Sequence, residues 1–161
     1  MRAIGFCVRL FEGGTRERVR AERALVYLLT ALYKIDCDFL RDYPDTPTIE
    51  EARILGLVHY VPERNGEVFK DIPCILDQGY EDCDGLAAWK AAELTVRDRR
   101  PARPVLKRSR MEGKTLIYHT VARELRTGRI HDPSVLLGMR KFEAALRGPV
   151  VGKMPVPAWA Q

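Results

Sequence analysis

The sequence predicts an α+β domain in which helices come first and antiparallel strands follow. Two segments, residues 15–33 and 83–96, carry apolar side chains at helical spacing. Residues 105–111 and 115–124 are rich in strand-forming residues, and a short turn containing Gly113 joins them, which is typical of a β-hairpin. Strands and helices do not alternate regularly along the chain, so a parallel βαβ sheet is not expected.

The first half of the chain reads as one strand, two helices and a second strand. Residues 3–11 are β-prone, and the first helix begins after them at Thr15. A loop with two prolines, residues 42–47, separates that helix from a short one beginning at Thr48, a residue type that caps helices. Residues 57–61 then form a plausible strand.

The second half is organised around the helix over residues 83–96. We predict an approach loop over residues 74–82, so that the helix starts at Cys83. The hairpin follows, and a turn at Gly128 leads to a last short helix capped by Ser134.

With 161 residues, the chain has the length of one ordinary domain. We predict a single domain over residues 1–147, with an N-terminal strand and helices (1–70) and a core that carries the chemistry (71–140). An extended proline-rich tail (148–161) follows. The longest apolar stretch is about half the roughly 20 residues that a membrane helix needs, and no secretory signal follows Met1. We therefore expect no membrane partner.

The net charge of +5 is concentrated in one segment, residues 97–110. Its seven basic residues stand against the single acid Asp98: Arg97, Arg99, Arg100, Arg103, Lys107, Arg108 and Arg110. No aromatic residue interleaves these charges to stack on bases, so we interpret the segment as an exposed loop and strand face. Nucleic acid is not an expected partner.

The four cysteines contain no CxxC pair and are too sparse for a disulfide framework, which favours a reducing compartment. A zinc site built from Cys74, Cys83, His119 and His131 would match no common module. We predict neither a metal nor another cofactor.

Cys83, His119 and Asp132 form the constellation that predicts catalysis. A nucleophilic cysteine works as its thiolate, and a helix N-terminus and a nearby imidazolium both favour that form. Cys83 stands where the helix begins, while His119 lies in the best strand candidate after it. Asp132 follows the turn from which an adjacent strand would return, and it would orient the imidazole.

The same residues resemble the transglutaminase-like (papain-type) cysteine peptidase superfamily, in particular small bacteriophage-encoded members. The similarity lies in residues 80–94, with an Asp-Cys-acid-small-Leu-Ala core around Cys83, in residues 118–121 around His119, and in residues 129–134 around Asp132. It covers about two-fifths of the chain, and the first seventy residues show no comparable similarity.

The resemblance implies a papain-like core with a cysteine at a helix N-terminus, packed on a small antiparallel sheet. It also implies a cysteine hydrolase or acyltransferase that attacks an amide bond of a protein or peptide and passes through a thioester. The oxyanion would be held by the backbone N–H of Cys83 and, by similarity to papain-type enzymes, by the side chain of Gln78. The offset of Gln78 from Cys83 differs from papain's spacing.

Several alternatives remain open at this stage. Cys74 is a rival nucleophile, His131 is a rival imidazole, and Asp132 before Pro133 has an ordinary turn interpretation. Acids beside Cys83 oppose its ionisation. The alternative function is a structural or assembly component of a phage particle (head, neck or tail) that keeps the fold with little or no catalysis. We expect the bacterial host cytoplasm or the virion as its location, with phage structural proteins among its partners.

Overall fold

The computed structural model describes residues 5–8, 15–62, 67–112 and 115–139. The predicted tail, residues 148–161, lies outside the described residues. The elements of the first half are β1 (Gly5–Val8), α1 (Thr15–Asp42), α2 (Ile49–Ile54), β2 (His59–Tyr60), β3 (Glu67–Lys70) and α3 (Ile72–Gln78). Those of the second half are β4 (Tyr80–Glu81), α4 (Cys83–Val96), β5 (Ala102–Glu112), β6 (Thr115–Glu124), β7 (Ile130–His131) and α5 (Pro133–Leu136).

The strands form three small sheets within the described residues. β1 pairs with β3 in antiparallel fashion, and β2 pairs with β4 in parallel. The third sheet has the order β5-β6-β7 and is antiparallel throughout. The combination of helices with small, mostly antiparallel sheets confirms the α+β class and the predicted hairpin.

Helix α1 is longer than its apolar pattern predicts. The pattern ends near residue 33, but the helix continues to Asp42. Its buried face goes on through Asp36, Cys37 and Leu40. Because a buried aspartate interrupts the run of apolar positions, periodicity alone could not follow the helix to its end.

The approach loop predicted over residues 74–82 is wrong in its first half, since α3 occupies Ile72–Gln78. The side chain of Asp71 caps this helix, accepting a hydrogen bond of 3.1 Å from the backbone N–H of Cys74. Gly79 ends it in the left-handed conformation, with φ of 76°. The cap, a proline in the first turn and the terminal glycine were all present in the sequence as helix signals.

Helix α4 lies at the centre of the molecule. It packs against α1, β5, β6 and α5, and almost all of its side chains from Asp84 to Leu94 are buried. Trp89 is fully buried in a cluster with Leu86, Ile49 and Ile75. A second cluster joins Ala88 to α1 and to Leu106 of β5. The helix that begins at Cys83 is therefore fixed on several sides.

Part of the basic segment contributes to the fold. Arg97 donates hydrogen bonds to the backbone oxygens of Pro44 and Thr46. Arg100 forms an ion pair of 2.9 Å with Glu124 of β6. Within the described ranges, no helix combines the length and the apolar character needed to cross a bilayer.

Candidate functional site

Cys83 is the first residue of α4, as the sequence predicts. Its side chain is partly exposed, whereas the free thiols of Cys37 and Cys74 are buried. Burial raises the pKa of the Cys37 thiol to about 11 and also raises that of Cys74. Among these three thiols, Cys83 is the one that a solvent-borne electrophile can reach.

Two carboxylates flank the thiol and define the start of the helix. Asp82 is the N-cap, and its Oδ1 accepts a hydrogen bond of 3.0 Å from the backbone N–H of Asp84. The Cys83 Sγ lies 3.6 Å from Oδ1 of Asp84, to which the thiol donates. The helix dipole favours a thiolate at this position, while the two carboxylates oppose it.

A buried hydrogen bond connects the first turn of α4 to β6. The hydroxyl of Thr120 donates to Oδ1 of Asp84, and both side chains are shielded from solvent. Thr120 directly follows His119 in the strand. Sequence reasoning missed this contact because a threonine in a strand carries no signal of its partner.

His119 and Asp132 are paired. The distance from Nε2 of His119 to Oδ2 of Asp132 is 2.8 Å, the histidine being 1% and the aspartate side chain 23% exposed. The antiparallel pairing of β6 with β7 brings them together, because Ala122 stands opposite His131. Oδ1 of Asp132 also caps α5 through the N–H of Val135, at 3.4 Å, so the predicted cap at Ser134 is wrong. The carboxylate is thus held from two sides, as an orienting group requires.

The side chains of β6 form two alternating rows. Tyr118 donates to Glu22 of α1, Thr120 to Asp84 of α4, and Ala122 packs against α4. His119 stands between them and so belongs to the other row, together with Asp132 across the β6–β7 pair. The row of Thr120 and Ala122 faces α4, so the row of His119 and Asp132 is directed away from that helix. Two hydrogen bonds join the Cys83 thiol to Asp84 and Asp84 to Thr120, and His119 takes part in neither.

The rival residues are engaged elsewhere. Nε2 of His131 lies 2.7 Å from Oε1 of Glu124, and this contact lowers the pKa of that carboxyl. The amide Nε2 of Gln78 donates to Sγ of Cys74 at 3.2 Å. Gln78 is the last residue of α3 rather than part of a loop. Its predicted role at the oxyanion would require the amide to leave Cys74.

One group of three potential metal-ligating side chains occurs among the described residues. It consists of Asp82, Cys83 and Asp84, whose ligand atoms lie within 4.8 Å of one another. Asp82 caps the helix and Asp84 accepts from Thr120, so both carboxylates already have structural roles.

Comparisons of the chain with protein-family models, with curated proteins and with solved structures gave no match. The resemblance to the transglutaminase-like superfamily therefore stays a prediction from the sequence.

Proposed function

We propose that the protein is a transglutaminase-like cysteine hydrolase or acyltransferase that acts on an amide bond of a protein or peptide. The observation that supports this most is the 2.8 Å pairing of His119 with Asp132 on a sheet that packs against the helix beginning at Cys83. A papain-like arrangement of this core belongs to the same proposal.

The imidazole pairing supplies the chemistry of a general base. With Nε2–H donated to Asp132, Nδ1 of His119 carries a lone pair that accepts the thiol proton. The thiolate of Cys83 then attacks the carbonyl carbon, and the tetrahedral intermediate expels the amine after His119 returns the proton to it. Water or a second amine attacks the thioester and releases the acyl group and the free thiol.

The pairing also supports a role for Asp132 in orienting the imidazole. Its second oxygen accepts a hydrogen bond from the backbone N–H of Val135, which restrains the carboxylate beside the ring. A carboxylate in this position favours the tautomer with the proton on Nε2. The experiment must test whether Nδ1 of His119 takes the proton from Sγ of Cys83.

An activated ester tests acylation without knowledge of the natural substrate. We expect p-nitrophenyl acetate to acetylate Cys83 with release of p-nitrophenolate, seen as one acetyl group on the peptide that contains Cys83. His119→Ala should slow this acylation by about 10²-fold or more, the usual contribution of a general base. Cys83→Ala should abolish it, while Cys74→Ala serves as a matched control with normal rates. Acetylation spread evenly over the cysteines would contradict the proposal.

A further inference from the structure

A buried ion pair lies directly beneath the first turn of α4. Nζ of Lys70, the last residue of β3, is 3.0 Å from Oε2 of Glu81 in β4, and both side chains are almost completely shielded from solvent. At this distance the two groups are held together by charge and by a hydrogen bond that the ammonium donates to the carboxylate.

Gly85 brings the helix into contact with this pair. A Cβ added there would lie 2.8 Å from Cγ of Glu81 and 3.0 Å from the backbone oxygen of Lys70. Such distances leave no room for a side chain, so the helix backbone at Gly85 packs directly against Glu81 and Lys70. Glu81 precedes Cys83 by two residues and Gly85 follows it by two. The close approach of Gly85 to Glu81 therefore involves residues on both sides of Cys83 in the chain.

Further ionisable groups surround the pair. These are Asp36 of α1, Tyr60 of β2, which stands opposite Glu81 in the strand register, Asp71 and Cys74 at the start of α3, and Tyr80 and Asp82 on either side of Glu81. The Tyr80 ring lies 4.4 Å from the Lys70 ammonium. Burial and then the charge of Asp82 raise the pKa of Glu81, while the ammonium of Lys70 lowers it and favours the charged carboxylate.

An ion pair in such a place does more than add stability. Buried ion pairs are commonly no more stabilising than apolar residues of the same volume, but they fix one arrangement of the groups around them. We infer that Lys70 and Glu81 are positioning residues for Cys83, because their pairing fixes the first turn of α4 against β3 and β4. The effect on Cys83 reactivity rests on the proposed function, but the order of the first turn of α4 can be measured separately.

The experiment uses the full chain and three substitutions. Glu81→Gln keeps the shape of the side chain and removes its charge, and Lys70→Met keeps the length and removes the cation. Glu93→Gln is the matched control. Glu93 is also a buried glutamate paired with a lysine, but it lies in α4 about three turns from Cys83. Amide hydrogen exchange of residues 83–87 is measured together with the pH dependence of Cys83 alkylation by iodoacetamide.

We expect Lys70→Met and Glu81→Gln to lower the exchange protection of residues 83–87, relative to residues 91–94, by roughly tenfold or more. Glu93→Gln should not produce that local loss. Glu81→Gln removes a carboxylate two residues before Cys83, and Lys70→Met removes its cation. The two substitutions should therefore shift the midpoint of the alkylation rate profile in opposite directions, to lower and to higher pH respectively, which a merely structural role would not produce.

The two proposals fail in different ways. If Lys70→Met and Glu81→Gln change neither the local exchange nor the rate profile more than Glu93→Gln does, the positioning role is overturned. If Cys83 of the wild type reacts no faster than Cys37 and Cys74, the catalytic proposal fails, and the exchange measurement still decides the positioning.

Discussion

Substitution of Gly85 by alanine sets two effects of opposite sign against each other. Inside a helix, alanine is favoured over glycine by about 1 kcal/mol. At Gly85, however, the new Cβ would approach Cγ of Glu81 to 2.8 Å and the backbone oxygen of Lys70 to 3.0 Å. The Glu81 side chain is fully buried and cannot retreat into solvent. Inserting a methyl group into such a site costs about 1–3 kcal/mol.

The steric effect should therefore win, with a net destabilisation on the order of 1 kcal/mol. Urea unfolding followed by circular dichroism measures it directly. The midpoint should fall at an unchanged slope, because the surface exposed on unfolding stays the same.

A double-mutant cycle identifies the origin of the loss. Glu81→Ala removes the Cγ that the new methyl group would meet, so adding Gly85→Ala in that background should cost less than in the wild type. A Gly85→Ala variant as stable as the wild type, or an equal loss in both backgrounds, would refute the reasoning that α4 rests on this pair.

Two other contacts of α4 give predictions of their own. Burial raises the pKa of Glu93 from 4.5 to about 7, so its contribution to stability is complete below pH 4.5 and is lost as the pH rises through about 7. In the wild type, the free energy of unfolding should therefore fall by about 3 kcal/mol over this pH range. Glu93→Gln should remove that fall, which urea titration at several pH values measures. A slope equal to that of the wild type would contradict it, and Asp45→Asn in the exposed loop before α2 is the control. Thr120→Val should destabilise the protein by about 1–3 kcal/mol by removing the hydroxyl that donates to buried Asp84, with Thr46→Val at a partly exposed loop position as the control. Equal midpoints for both valine variants in thermal unfolding would count against that contact.

Much of the second half could be predicted from the sequence because its signals are local. The apolar spacing of residues 83–96 placed the start of α4 correctly. The strand and turn pattern predicted the hairpin, and the turn at Gly128 predicted a strand that returns Asp132 to His119.

The features that escaped prediction depend on partners distant in the chain. The pair of Lys70 and Glu81 was not predicted, since nothing in the local sequence shows that β3 and β4 bury the two charges together. The bond from Thr120 to Asp84 joins residues 36 positions apart. The predicted assembly role in a phage particle likewise depends on partners outside this chain, and it stays a prediction.

The central claim is that Cys83 is a nucleophile activated by His119, and the rate of thiol alkylation at neutral pH tests it most directly. Iodoacetamide labelling of the native protein, resolved by peptide mass spectrometry, should modify Cys83 at least about tenfold faster than the buried Cys37 and Cys74. His119→Ala should remove most of that advantage while the fold, checked by circular dichroism, is retained. Equal and slow labelling of all three thiols, or an unchanged Cys83 rate in His119→Ala, would contradict the account.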